Sequence, residues 1–248
     1  MNAGRFLAIA VTTMVVLAPQ ASAQQNETLS DKAKLEQTIH DYLLAHPEVI
    51  VEALEKYQAE QEKAAAEKQA QALVERRDDL NRAPDAPVLG NPDGNVTVVE
   101  FFDYRCPYCK TVAHSFIDLF ESDGNVRFVL KEFPILGADS EFAAKAALAA
   151  HMQGKYREMH LALMDFKGKV TSEDVRRLAA GVGIDVARLE RDMQSPAIID
   201  SINRNLALGE ALGIRGTPAF VIDDDMIPGA ISAEEMHKRI EAARNTQG

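Results

Sequence analysis

The only two cysteines of the chain, Cys106 and Cys109, stand two residues apart in the stretch FFDYRCPYCK, residues 101–110. Such a pair can staple a fold, hold a metal ion or exchange electrons with other thiols. A structural zinc site takes about four ligands, as two cysteine pairs or a pair with two histidines; here there is one pair and no finger-like histidine spacing. A disulfide spanning a two-residue gap removes little chain entropy, because that stabilisation grows with loop length. The remaining chemistry is thiol–disulfide exchange, and the flanking sequence favours it. The run VTVVEFF, residues 96–102, reads as a buried strand, and TVAHSFIDLFES, residues 111–122, reads as a helix.

Cysteines placed between that strand and that helix set Cys106 beside the unsatisfied N–H groups of a helix start, where the dipole favours thiolate. Cys106 is therefore expected to titrate well below an ordinary cysteine and to act as the nucleophile. Cys109, one turn further on, is expected to be buried and protonated and to resolve the mixed disulfide. Pro107 stiffens the intervening turn, and Tyr108 fills the remaining position. The chemistry requires no cofactor. Glu100 lies in the buried strand, and a carboxylate there is costly unless it has a partner or a task.

Elements that must position this pair can be read around it. Arg5, an apolar run of about a dozen residues and Ala21-Ser22-Ala23 resemble a secretory leader cleaved after Ala23. The run is shorter than the ~20 residues of a membrane span. The expected mature chain, from Gln24 onward, is exported to an oxidising, extracytoplasmic space. Residues 24–82 are rich in Ala, Glu, Gln and Lys and contain no glycine, which is a helical composition. Ser30 or Asp31 can cap a first helix bearing Leu35, Ile39, Tyr42 and Leu43 on one face. After His46-Pro47, Ile50, Leu54 and Tyr57 continue an apolar seam that fades beyond residue 57. This region is expected to be an oligomerisation stalk, since a helix pair so small needs a partner surface to bury those side chains.

Residues 83–95, with three prolines and two glycines, read as a linker. A strand–helix–strand unit follows, with VRFVLKEF as its second strand, implying a parallel pair. Five short helical patterns then fill residues 139–213, and GTPAFVIDD begins a strand–strand–helix finish. The expected fold is thus α/β, with one domain built from residues 96–138 and 214–248 and a helical insertion at 139–213. A net charge of −11 offers no basic face for nucleic acid.

VVEFFDYRCPYC, together with GIRGTPAFVI about 110 residues later, resembles the DsbA-like branch of the thioredoxin superfamily, across residues 88–245. The resemblance implies a thioredoxin fold with an inserted helical domain. It also implies that Thr217 and Pro218 form the substrate-facing loop, with Pro218 cis, and that Glu100 is the buried acid handling the proton of the second cysteine. The long N-terminal helical region is similar to that of the ScsC (suppressor of copper sensitivity) oxidoreductases, some of which oligomerise through it. The Pro-Tyr dipeptide departs from the Pro-His of DsbA.

The functional expectation is a periplasmic oligomeric disulfide isomerase or reductase. Its clients are misfolded or disulfide-bonded extracytoplasmic proteins, and a membrane thiol reductase of the DsbD/ScsB type keeps it reduced. Two other readings stand beside it: a monomeric dithiol oxidase, and a copper-binding or holdase protein in which Cys106 and Cys109 are Cu(I) ligands. A second methionine–histidine group, His151, Met152, Met159, His160 and Met164, fits helical packing more simply than copper. His114, on the active-site helix, is expected to point away from Cys106.

Overall fold

The computed structural model describes residues 21–246, with side chains from residue 31; the expected leader falls almost entirely outside them. The chain divides into two compact units after Lys63. Residues of the first unit lie in helix α1 (Ala21–Ala45) and the start of α2 (Glu48–Glu75). α1 begins upstream of the cap expected at Ser30 or Asp31, as a stretch without glycine or proline permits. The break falls at His46-Pro47 as the sequence implies, and the carbonyl of Pro47 accepts from the N–H of Ile50. In this unit Leu35, Ile39, Tyr42, Ile50, Leu54 and Tyr57 all stand exposed.

The second unit begins inside α2, and here the expected boundaries shift. Leu73 of α2 and Leu80 of α3 (Arg77–Asn81) are buried in a core shared with Val99, Phe101 and Val129. Residues 64–82 therefore belong with the catalytic unit rather than with a stalk ending at residue 82. The expected linker also contains a strand, β1 (Val88–Gly90), which pairs antiparallel with the sheet edge. Three residues, the last of them a glycine, are too few to show an alternating pattern, yet they satisfy the edge of the neighbouring strand.

The sheet runs β1-β3-β2-β4-β5. Its centre is the expected parallel pair, β2 (Val96–Phe102) and β3 (Val126–Glu132), joined by α4 (Pro107–Asp123), with Val96 opposite Val126. β4 (Ala219–Ile222) runs antiparallel to β2, and β5 (Asp225–Pro228) antiparallel to β4. Between β3 and β4 lie α5 (Ala138–His151), α6 (Tyr156–Asp165), α7 (Ser172–Gly181), α8 (Val186–Asp192) and α9 (Pro196–Ala211). α10 (Ala233–Thr246) closes the chain, and the Ser232 hydroxyl accepts from the Glu235 N–H at its start.

Alternation along β2 splits the interior. Val98, Glu100 and Phe102 share one face of the strand, and Val98 and Phe102 pack with α4 and the inserted helices; Val99 and Phe101 pack on the opposite side with Leu73, Leu80, Leu208 and Leu212. α9 comes so close to the second core that a Cβ on Gly209 would overlap the ring of Phe133.

Candidate active site

Cys106 is the N-cap residue of α4, with extended backbone angles, and Pro107 occupies the first helical turn. A proline there loses no helical hydrogen bond and carries the φ that the helix needs. The approach to this cap is built by Asp103, which is buried. Its carboxylate accepts from the N–H of Arg105 at 2.7 Å, the hydroxyl of Ser140 at 2.7 Å and the N–H of Leu136 at 3.0 Å. Its carbonyl accepts from the N–H of Cys106 at 3.0 Å. β2 thus hands the chain to α4 through a turn fixed from three sides.

Both cysteines are free thiols. Cys106 retains 4% of its surface and Cys109 none, so an incoming sulfur can meet Cys106 alone. The Cys106 thiol donates to the carbonyl of Thr217 at 3.1 Å, and the Thr217–Pro218 peptide bond is cis. The structure therefore brings the nucleophile and the expected loop together, although 111 residues separate Cys106 from Thr217 in sequence. Beside them opens a cleft of about 550 Å³ lined by Tyr108, Ile214, Thr217, Pro218, Met226 and Gln69. Tyr108 is largely exposed at its mouth. Gln69, from α2, donates to the carbonyl of Leu212 at 2.9 Å and to the sulfur of Met226 at 3.1 Å. Sequence reasoning missed it, because nothing in a run of Ala, Gln and Lys distinguishes one glutamine from the others.

Behind the cysteines sits Glu100, buried, with Oε1 lacking any hydrogen-bond partner among the described residues. Burial pushes its carboxyl up to about 8. Burial also pushes the Cys109 thiol up, and the charge of Glu100 adds to that shift. Ionised Glu100 thus disfavours the Cys109 thiolate, as suits an acid that takes the thiol's proton. Lys110 lies on the other side. Its ammonium donates to the carbonyls of Leu163, Met164 and Phe166, at 2.8–2.9 Å, at the end of α6. Desolvation holds Lys110 below its ordinary value, against the attraction of Asp165 and Cys109.

The methionine–histidine group does not converge. Met159 and Met164 are buried in the main core, and Met152 is exposed. His160 is buried with Nδ1 at 3.0 Å from the Tyr104 hydroxyl, and burial lowers it to about 3. Tyr104 and Tyr156 both donate to Glu132, at 3.1 and 2.8 Å, giving that buried carboxyl its partners. Desolvation nonetheless holds Glu132 well above the usual range. His114 is exposed and pairs with Asp165 at 2.7 Å.

A thioredoxin-type sheet, a CxxC pair capping a helix and a cis-proline loop against the first sulfur define a thiol-disulfide oxidoreductase fold. The DSBA-like thioredoxin domain model matches residues 97–241, and the model of the copper resistance protein ScsC N-terminal domain matches residues 31–64. The chain belongs to the DsbA-like thioredoxin family, and its domain organisation is that of ScsC proteins.

The structure of a thioredoxin-like oxidoreductase from Silicibacter pomeroyi is 48% identical. It covers 68% of this chain and 98% of its own, with a TM-score of 0.66. Salmonella enterica Typhimurium BcfH is 28% identical, with 91% of this chain and 99% of its own covered and a TM-score of 0.69. Among curated relatives, the Na(+)/H(+) antiporter NhaA of Herminiimonas arsenicoxydans is 30% identical over 183 residues. That match covers 71% of this chain and 29% of the antiporter. The chain thus spans less than a third of the length of the curated relatives it matches. Among the described residues no helix is long and apolar enough to cross a membrane.

Proposed function

We propose that this protein is a periplasmic protein disulfide isomerase and reductase that works as a homo-oligomer. One observation carries the reading: residues 31–63 expose Leu35, Ile39, Tyr42, Ile50, Leu54 and Tyr57 in the segment that matches the ScsC N-terminal domain. Burying one such side chain is worth about 1.5–3 kcal/mol, and among the described residues the first unit has no buried core in which to do so. Copies assembled through these helices, within residues 29–82, would supply it. Several active sites around one enclosure can then hold a misfolded client.

In the reaction, the Cys106 thiolate attacks a client disulfide, forming a mixed disulfide and releasing one client thiolate. That thiolate can attack another client disulfide, and the client thiolate freed there attacks the client sulfur of the mixed disulfide, so that bonds reshuffle and Cys106 leaves as the thiolate it began as. Alternatively, Cys109 gives its proton to ionised Glu100 and attacks the Cys106 sulfur. The second client thiol leaves, and the enzyme is oxidised to the Cys106–Cys109 disulfide while the client is reduced. Thr217 supports the first path, since its backbone can align an extended client strand beside Cys106. A membrane thiol reductase of the DsbD/ScsB type would restore the dithiol after the second path.

The test joins mass and activity. Light scattering of the reduced chain from residue 24 is expected to give an oligomer, and the chain from residue 64 a monomer that retains its core. Reduced protein should reactivate scrambled ribonuclease, with the shortened chain at least about tenfold slower, reflecting lost effective concentration. Monomers in both cases, or ribonuclease left inactive, would overturn the reading in favour of a monomeric oxidase. Such an oxidase would oxidise a reduced peptide rapidly with its own disulfide.

A further inference from the structure

On the sheet face remote from Cys109 lies a second cleft, of about 580 Å³, between α9, the segment after α3 and β3. Lys131 of β3 lines it and keeps only 1% of its surface. Its ammonium donates to the carbonyl of Asp79 at 2.7 Å, which among the described residues is its one hydrogen bond. Two of its three N–H groups are left for another acceptor.

The carboxylates lining the cleft are already committed. Asp85 accepts from Arg204 at 2.6 Å, and Asp79 lies 3.4 Å from Arg76. Three cations and two carboxylates leave one positive charge over, and Lys131 is the cation without a carboxylate of its own. Arg127, four residues earlier on the same strand face, adds to the excess: one of its guanidinium nitrogens is buried without a hydrogen-bond partner among the described residues. Burial, the largest cause, pushes Lys131 down to about 8, against the pull of Asp85 and Asp79. Much of the remaining wall is apolar, formed by Ala83, Pro84, Leu208 and Ala211. The amide nitrogen of Asn205 is taken by the carbonyl of Glu132, at 3.2 Å.

We propose that this cleft is a binding site for a small organic monocarboxylate with a short aliphatic body, its carboxylate on Lys131 and its chain on the alanine- and leucine-lined wall. A bare inorganic anion would leave the apolar wall unmatched, and a neutral ligand would leave the buried ammonium short of an acceptor. Charge-assisted hydrogen bonds are about twice as strong as neutral ones, so Lys131 selects the anion. The proposal does not depend on the direction in which the cysteines work.

Octanoate serves as probe, titrated calorimetrically into the full chain, with 1-octanol as the neutral analogue and acetate as the headgroup alone. Octanoate is expected to saturate a single site per chain and to raise the thermal midpoint. Octanol and acetate should bind at least about tenfold more weakly, the factor for losing one charged hydrogen bond or the apolar contact. Lys131→Met should weaken octanoate at least about tenfold by the same reasoning. Ala83→Trp, which fills the cleft from its outer segment with Lys131 in place, should abolish binding. It should leave exchange with a small disulfide unchanged, and it decides the matter if Lys131→Met fails to fold. Absence of octanoate binding, octanol binding as tightly as octanoate, or wild-type affinity in either variant overturns the proposal.

Discussion

Glu100 and Lys131 are charged residues buried on adjacent central strands of one sheet, one step apart in register, since Phe101 pairs with Lys131 and Glu100 with Leu130. They occupy opposite faces, and burial drives both toward neutrality, the acid up to about 8 and the base down to about 8. The difference lies in their company. Lys131 holds a carbonyl and lines an open cleft, whereas Glu100 has a carboxylate oxygen without any partner and a thiol as its electrostatic neighbour. A buried group with a fixed acceptor holds something. A buried carboxylate oxygen without a donor is available to take a proton.

Protonation-linked stability separates the two most strongly. Glu100 has a raised folded value, so its contribution is fully present below its ordinary value of 4.5 and is lost as pH rises to about 8. At about 1.4 kcal/mol per unit, this amounts to about 3–5 kcal/mol across that window. Denaturant melts of Glu100→Gln between pH 4.5 and 8 should lack most of this decline. The same variant should slow release of the mixed disulfide by Cys109 about 100- to 10,000-fold, the range of a lost general base. Stopped-flow quenching with a small disulfide would show it, and an unchanged rate would remove Glu100 from the proton path.

Lys131 should behave with the opposite sign. Its lowered folded value means that stability is present above 10.5 and lost as pH falls to about 8. The wild type minus Lys131→Met difference should therefore rise by about 2–3 kcal/mol over that interval; a flat difference would mean that the ammonium is better compensated than its contacts imply. The smallest expected effect probes packing alone. Gly209→Ala should destabilise by about 1–3 kcal/mol through overlap with Phe133, with exchange kinetics unaltered. A change in kinetics would show that the second core reaches the active site.

The same pair of residues shows what a sequence reveals. Cys106 and Cys109 stand out in the sequence as a pair between a strand and a helix, and Glu100 as a carboxylate in a buried strand, whereas Thr217 and Pro218 are picked out only by the resemblance to the DsbA-like branch. The parallel β2–β3 pair and the five inserted helices were legible from hydrophobic periodicity. Lys131 was not, since in VRFVLKEF a lysine near a strand end reads as solvated, and only the cover supplied by α9 and the segment after α3 buries it. Leu73 and Leu80 were hidden for a related reason: single leucines in a charged helical run carry no period, and their burial depends on a sheet face some 20 or more residues later in sequence. Lys110 works through backbone carbonyls, and Asp103 through two backbone N–H groups and the distant Ser140 hydroxyl, which no side-chain pattern advertises.

Lys110 carries a consequence for how this enzyme can be watched. One ammonium gathers the last carbonyls of α6 and feels a charge on Cys109 only when that thiol ionises. Deprotonation or oxidation of Cys109 alters the pull on that ammonium, and the end of the inserted helix feels the change. Amide deuterium uptake around residues 163–166 should then differ between the dithiol and disulfide forms, making a stretch more than 50 residues from the cysteines a reporter of their oxidation state.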